Sequence, residues 1–192
     1  GYKAAIRNFL SADAPDIAFW YAGNRMGPFV EAGLFAPIDD VWADQGLYSL
    51  MKTSAPGMTM DGKKWGIPYT YYNWGVYYRQ DIFENLGIAV PKTWDQFIAA
   101  GKTLNANGVT PITIGSKYLW TAGGVFDYLN LRTNGYEFHM ALTRGEIAWT
   151  DDRVRATMAN WKQLIDADFF LENHAALSWQ EALAPMGNGE AA

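Results

Sequence analysis

The 192 residues are 49% hydrophobic and 18% charged, the balance of a globular chain and not of a disordered one. The formal net charge is −5 and no run of Lys or Arg occurs, which argues against a nucleic-acid partner and an anionic membrane surface, since both need clustered cations. Cysteine is absent, excluding disulfides, thiolate catalysis and Cys-ligated metal sites, and no apolar run is long enough to span a bilayer.

In chain order, Tyr2 to Ser11 reads as a helix with Ile6, Phe9 and Leu10 on one face. Gly1-Tyr2-Lys3 opens directly into that pattern without a signal peptide, so the protein is expected to be cytosolic or to lack its N-terminal part. Asp13 to Asp16 breaks the helix, and Ile17-Ala18-Phe19-Trp20 is a short apolar run expected as a buried strand. Met26 to Ala32 reads as a short helix ended by Gly33, and Ile38-Asp39-Asp40 leads into another helical stretch. Asp61-Gly62 between Met58–Met60 and Trp65–Pro68 predicts a hairpin.

Tyr69 to Tyr78 is rich in Tyr and Trp and favours extended backbone. Asp81 is expected to cap a short helix ended by Gly87. Thr93-Trp94-Asp95-Gln96 fits a capping box for a helix that stops near Asn107-Gly108. Pro111 to Ile114 reads as a strand, and Tyr118 to Leu131 as a helix. Thr150 and Asp151 start the clearest helix, with Val154, Met158, Trp161 and Ile165 as its core stripe. A last helix is expected near Ser178, ended by Pro185 and Gly187-Asn188-Gly189. Alternating helix and strand signals point to an α/β layered fold.

Enzyme signatures are poor. His139 and His174 are isolated and outside any His-Glu-x-x-His frame, so zinc hydrolysis lacks support. No Gly-x-Ser-x-Gly elbow or phosphate-binding Walker loop occurs. Gly187 to Ala192 matches a Gly-x-Gly-x-x-Ala pattern but follows a helix, which favours a helix-ending turn over a dinucleotide site. Asp151-Asp152 reads as a helix start, where carboxylates complement the dipole. No catalytic residue, metal site or cofactor is expected. A pair of carboxylates for glycoside hydrolysis stays open, because their separation is a three-dimensional property.

The unusual feature is aromatic content of 16%, with nine Trp. Packing accounts for many of them. Trp also stacks on the apolar face of a sugar ring while its N–H meets a hydroxyl.

Ala14-Pro15-Asp16-Ile17-Ala18-Phe19-Trp20, followed by Phe29 to Asp39 with its Gly-Leu-Phe-Ala-Pro-Ile turn, resembles the family-1 extracellular solute-binding proteins of ABC importers. Asp61-Gly62-Lys63-Lys64-Trp65-Gly66-Ile67-Pro68, Val76 to Phe83, Pro91-Lys92-Thr93-Trp94-Asp95-Gln96-Phe97 and Gly187 to Ala192 resemble later segments of that family in the right order. The resemblance implies an α/β periplasmic-binding-protein-like fold of type II, with two lobes, a hinge, and the ligand in the cleft. Residues 1–72 are expected as part of the N-terminal lobe and 73–192 as part of the C-terminal lobe. Family members run to about two ordinary domains, so the chain is expected to be a fragment incomplete at both ends.

By the family pattern, the loop with Trp20, Asn24 and Arg25 reaches the ligand. Arg25 offers a planar fork of donors, and Asn24 both donor and acceptor; a solvent-exposed loop Arg is the plainer reading. Tyr71, Tyr72, Asn73 and Trp74 match the crossing between lobes. Alternate side chains of an extended segment face opposite ways, so the four cannot share one core. Tyr118 and Trp120 lie beyond a strand end, where α/β sites form. Trp179 is a further candidate, with core packing equally open. Trp42, Trp65, Trp94, Trp149 and Trp161 are assigned to packing or turns.

The function so implied is capture of a carbohydrate, an oligosaccharide or glycoside, for an ABC importer. Closure about the hinge would follow binding. The implied partners are the sugar and a membrane permease, with no nucleic acid and a monomeric full-length protein. The implied location is periplasmic or extracellular, lipid-anchored in some arrangements. A glycoside hydrolase or other carbohydrate-active enzyme, and a binding protein for a non-sugar solute, are the alternatives.

Overall fold

The computed structural model describes residues 1–70 and 72–192. Two compact units divide the chain, Gly1–Trp74 and Gly75–Ala192.

In the first unit, α1 (Tyr2–Ala12) turns Ile6 and Leu10 inward. They meet Phe29 of α2 (Gly27–Glu31), and Ala18, Trp20, Leu34 and Phe35 pack against the three. Pro28 sits at the start of α2, where its missing N–H deprives the helix of nothing. Gly33 adopts φ +67 and ends the helix, and the Leu34 N–H returns to the Phe29 carbonyl at 2.9 Å. α3 (Asp39–Asp44) buries Trp42 completely, and α4 (Leu47–Leu50) follows.

The hairpin forms at the expected turn: β1 (Thr59–Met60) pairs antiparallel with β2 (Lys63–Lys64). Asp61 and Gly62 both take positive φ, 52° and 74°, as a type I′ turn requires. The second arm is thus Lys63–Lys64, and Trp65–Pro68 follows it. The hairpin is tied to α3 through Ile38 N–H to the Lys64 carbonyl, 2.8 Å, and Lys64 N–H to Asp39 Oδ1, 3.1 Å. The Trp42 indole N–H donates to the Gly66 carbonyl, 3.0 Å.

One strand expectation in this unit fails. Ile17–Trp20 is not a strand, and Ile17 and Phe19 are exposed at 82% and 63%. Only Ala18 and Trp20 face the core. The run has period-two alternation but no ladder partner, and the hydroxyl of Tyr2 serves the Phe19 backbone instead, donating to its carbonyl and accepting from its N–H. Tyr69–Tyr78 carries neither helix nor ladder among its described residues.

In the second unit, α5 (Gln80–Asn85) has Arg79 as its cap. Asp81 lies inside the first turn, not at the cap position expected of it, and is forked by Arg79 (Nε–Oδ1 2.8 Å, Nη2–Oδ2 2.7 Å), with the Ile82 and Asp81 backbone N–H groups as lesser donors to its carboxylate. α6 (Trp94–Ala106) begins at Thr93, whose Oγ1 accepts from the Gln96 N–H. Gln96 Oε1 reciprocates to the N–H of Lys92, one residue before the standard box.

After α6, Thr110 and Ile112 form the centre of three parallel rows. Thr110 bridges to Ala191 and Ile112 to Phe170. Bonds run on both sides of the centre: Ile112 N–H to Phe169 C=O (2.8 Å) and Leu171 N–H to Ile112 C=O (3.0 Å) on one, Thr110 N–H to Glu190 C=O (2.9 Å) and Ala192 N–H to Thr110 C=O (3.1 Å) on the other. That is the slanted pattern of parallel pairing. α6 lies so close to the outer row that a Cβ on Gly101 would come within 2.3 Å of the fully buried Phe169 ring.

α7 (Trp120–Asn134), α8 (Tyr136–Thr143) and α9 (Asp152–Asp166) form a helical layer around Phe126, Phe138, Leu142 and Val154, with Ile147 and Trp161 packed on it. α7 starts two residues later than Tyr118, and α8 carried no expected signal. Within the layer Asn130 and Thr157 are fully buried. Asn130 Oδ1 accepts from Thr157 Oγ1 (3.1 Å) and Asn134 Nδ2 (2.8 Å), and its amide nitrogen lies 3.0 Å from His139 Nδ1.

α9 buries Val154, Thr157 and Leu164. Met158 and Ile165 are 45% and 56% exposed, so Val154 and Trp161 of the expected stripe pack on the core while Thr157 and Leu164 take the places expected of Met158 and Ile165; Thr157 is satisfied inside by its bond to Asn130. α10 (Leu183–Asn188) contains Pro185 instead of ending there, and Gly189 at φ +82 is its C-cap. Trp149, expected in packing or a turn, lies in a turn and rests on Phe126, centroids 5.4 Å apart, while staying 58% exposed.

Candidate ligand-binding surfaces

In the first unit the candidate loop follows Trp20. The indole is half-buried, set at 5.0 Å from the Phe29 ring. Its N–H donates to the Arg25 carbonyl, 2.8 Å. That bond closes the turn Gly23–Arg25 and fixes where Arg25 leaves the backbone. It also commits the one polar atom of Trp20, so the residue can offer a ring edge or face but not the expected hydroxyl donor.

Asn24 is exposed. Arg25 is exposed too and stacks on Tyr21, its Cζ 3.7 Å from the ring centroid. Lys3 Nζ stands 4.8 Å from the same centroid. The Lys3 ammonium, hydrogen-bonding to the phenol, and the charge of Arg25 hold Tyr21 below the usual tyrosine range. Sequence reasoning missed Tyr21 and Lys3; the aromatic neighbour of Trp20 was visible, but nothing along the chain ties Lys3 to it.

Tyr69 packs edge-on against Phe19, centroids 5.2 Å apart. Tyr71 lies outside the described residues. Tyr72 is 73% exposed and Trp74 51%, with rings 6.2 Å apart, and Asn73 is exposed. These rings cover little of each other and leave broad apolar faces in water.

In the second unit, Tyr118 and Trp120 flank Leu119, which takes φ +63 and ψ −24 as the residue before α7. A leucine in that conformation is strained. It projects two rings at the start of the helix, 65% and 51% exposed. The strain is held by the Leu119 N–H bond to the Ser116 carbonyl (2.9 Å) and by Thr121 Oγ1 to the Gly115 carbonyl (2.6 Å).

Trp179 is 44% exposed. With Thr113, Gly115, Thr121 and Leu183 it lines an open pocket of about 180 Å³. Gly115 allows the Ser178 carbonyl to approach: an added Cβ would meet that oxygen. Trp179 is therefore brought to the end of the central row from which Tyr118 and Trp120 depart. A larger open pocket of about 520 Å³, lined by Leu86 to Val90 and α6, holds none of the expected site residues.

Ionisable side chains form no metal-binding group among the described residues. The carboxylates with displaced ionisation are surface partners: Arg79, Arg144 and Arg153 hold Asp81, Glu146 and Asp151 below the ordinary range, chiefly through side-chain hydrogen bonds. Glu181 is lowered by the Ser178 N–H and hydroxyl that it accepts. His174 Nδ1 lies 2.7 Å from Ser116 Oγ, but Ser116 is buried and its backbone N–H is tied to the His174 carbonyl, a structural tie.

Helices thus surround short parallel rows, with the exposed rings of Tyr118, Trp120 and Trp179 at one end of them. The family model of the bacterial extracellular solute-binding proteins matches residues 1–192, and the chain belongs to that family. It is 27% identical over 99% of its length to an uncharacterized ABC transporter extracellular-binding protein of Pyrococcus horikoshii, covering 44% of that relative. It is 25% identical over 95% of its length to the multiple sugar-binding protein of Streptococcus mutans, again 44% of the relative.

Among solved structures, the bacterial solute receptor AcbH, described as having an exclusive preference for β-D-galactopyranose, is 32% identical with a TM-score of 0.82. That match covers 99% of this chain and 48% of that one. The architecture is thus the α/β periplasmic-binding-protein fold that the resemblance implied. The chain spans less than half the length of the curated relatives it matches.

Proposed function

We propose that the protein captures a carbohydrate outside the cytoplasm and presents it to an ABC importer in the membrane. The carrying observation is the set of exposed rings anchored by their own units. Trp20 is fixed by its bond to the Arg25 carbonyl, and Trp120 and Trp179 stand at the end of the parallel rows, 51% and 44% exposed. Ring faces in water cost free energy that a flat apolar sugar face would recover, and amide and guanidinium groups beside them suit hydroxyls. The names of the multiple sugar-binding relative and of AcbH support the same reading.

The proposed contacts are Trp20, Asn24, Arg25, Tyr72, Asn73 and Trp74 from the first unit and Tyr118, Trp120 and Trp179 from the second. Capture requires no bond to be made or broken; the solute leaves as it came. The division of labour expected from the family is one of two lobes, and the crossing at residues 72–73 is part of this proposal.

Calorimetric titration of the full-length protein with mono- and oligosaccharides tests it. Saturable heat without product supports capture, and product points to a glycoside hydrolase. Covering half of a Trp side chain removes roughly 60–100 Å² from water, on the order of 2 kcal/mol. Trp120→Ala or Trp179→Ala is therefore expected to raise the saccharide Kd about tenfold or more, and unchanged affinity in both would remove these rings from the site.

A further inference from the structure

Lys3 belongs to the first turn of α1 and Arg25 ends the turn after Trp20, yet both reach the ring of Tyr21. Neither forms an ion pair with a carboxylate among the described residues, which holds for other cations such as Lys52 and Arg132 as well; what sets this pair apart is the ring they share. The quadrupole of the tyrosine face attracts the two cations but leaves their charge uncancelled. The hydrogen bond from Lys3, then the charges of Lys3 and Arg25, lower the Tyr21 phenol, a local excess of positive charge on a chain whose net charge is −5.

A guanidinium stacked on a ring keeps its N–H donors at its edge, and the Trp20 bond to the Arg25 carbonyl holds the backbone from which it projects. Neutral hydroxyls can accept from these donors without neutralising them. A carboxylate or phosphate does both, bidentate to Arg25 with Lys3 as a point charge.

We propose that the Lys3–Tyr21–Arg25 cluster takes an anionic group, carboxylate or phosphate, carried on the captured saccharide. This rests on the carbohydrate-capture reading and adds the charge of the solute. Asn24, adjacent and exposed, serves the neighbouring hydroxyls.

The test titrates the full-length protein with matched saccharides in several ring configurations: neutral disaccharides, their uronic-acid counterparts, and hexose phosphates, each at about 20 and about 300 mM NaCl. The anionic member of at least one pair is expected to bind about tenfold more tightly at low salt. That advantage should shrink at high salt, and Lys3→Gln should reduce the anionic-to-neutral affinity ratio. A gain for the uronate or for the phosphate tells which group is recognised. Neutral saccharides bound as well as or better than their anionic partners would overturn the charge assignment and leave sugar capture standing. A ratio untouched by salt, or undiminished in folded Lys3→Gln, would overturn it as well. No saccharide of any kind bound would overturn both readings.

Discussion

Two glycine-to-alanine substitutions should move stability in opposite directions, and the structure gives the sign of each. Gly101 is buried in α6, and a Cβ there would stand 2.3 and 2.4 Å from two ring carbons of Phe169, which has no exposed surface into which to turn. Overpacking of this kind costs about 1–3 kcal/mol. Three sub-van-der-Waals contacts on a sealed ring put it near the upper end, while alanine's better helix propensity returns about 1 kcal/mol.

The net loss for Gly101→Ala is therefore about 2 kcal/mol, or about 1 M in the urea midpoint for a slope near 2 kcal/mol/M. Gly123 in α7 is exposed and an added Cβ meets nothing within 4 Å. Gly123→Ala should gain roughly 0.5–1 kcal/mol from propensity alone. Urea unfolding followed by circular dichroism measures both. Adding Phe169→Leu to Gly101→Ala should relieve part of the clash, so that the double variant loses less than the sum of the singles. Midpoints that shift the same way in both glycine variants, or additive losses at 101 and 169, would refute the packing account.

Asn130→Ala removes the acceptor for Thr157 Oγ1 and Asn134 Nδ2 in a buried layer and is expected to cost about 2–3 kcal/mol, read as a lower melting temperature; a loss below 0.5 kcal/mol, on the order of a surface change, would argue against the network. Leu119→Gly relieves the positive φ at an exposed position, so relief of roughly 1–2 kcal/mol of strain should outweigh the added chain entropy and raise the melting temperature slightly; the Tyr118 and Trp120 rings, less well held, should bind saccharide more weakly. Asp151 accepts from Arg153 and from its N–H, which lowers its folded pKa. Its contribution is present above the unfolded value of about 4 and lost as pH falls through the lowered folded value. Asp151→Asn should therefore be less stable than wild type at neutral pH, with the gap closing in acid, as pH-dependent melting can follow.

Local chemistry made most of the helices and the hairpin legible. Asp61-Gly62 announced its turn because two positive φ values in succession suit few other pairs. Thr93 announced α6 because its hydroxyl supplies a bond the helix lacks. What stayed hidden depends on partners distant in sequence. Ile17–Trp20 has the composition of a buried strand, but composition cannot say whether a ladder neighbour exists; the Tyr2 hydroxyl takes that place. The core stripe of α9 slipped at Met158 because an apolar count prefers it to Thr157, and the threonine is satisfied inside by Asn130, on another helix.

The candidate surfaces divide the same way. Aromatic residues at Trp20, Tyr72, Trp74, Tyr118 and Trp120 were conspicuous in the sequence. Their exposure, the prior commitment of the Trp20 N–H and the strain at Leu119 appeared only with three-dimensional placement. Charge is the least legible part. Lys3 is one unremarkable cation near the start of a helix until the fold sets it beside Tyr21 and Arg25. The chain's net charge says nothing of such a spot, because a field at a site is decided by the few charges within about a Debye length of it. Solute charge is therefore a property to read from paired and unpaired cations in the fold, and stacking rings alone would bind neutral and acidic sugars without distinguishing them.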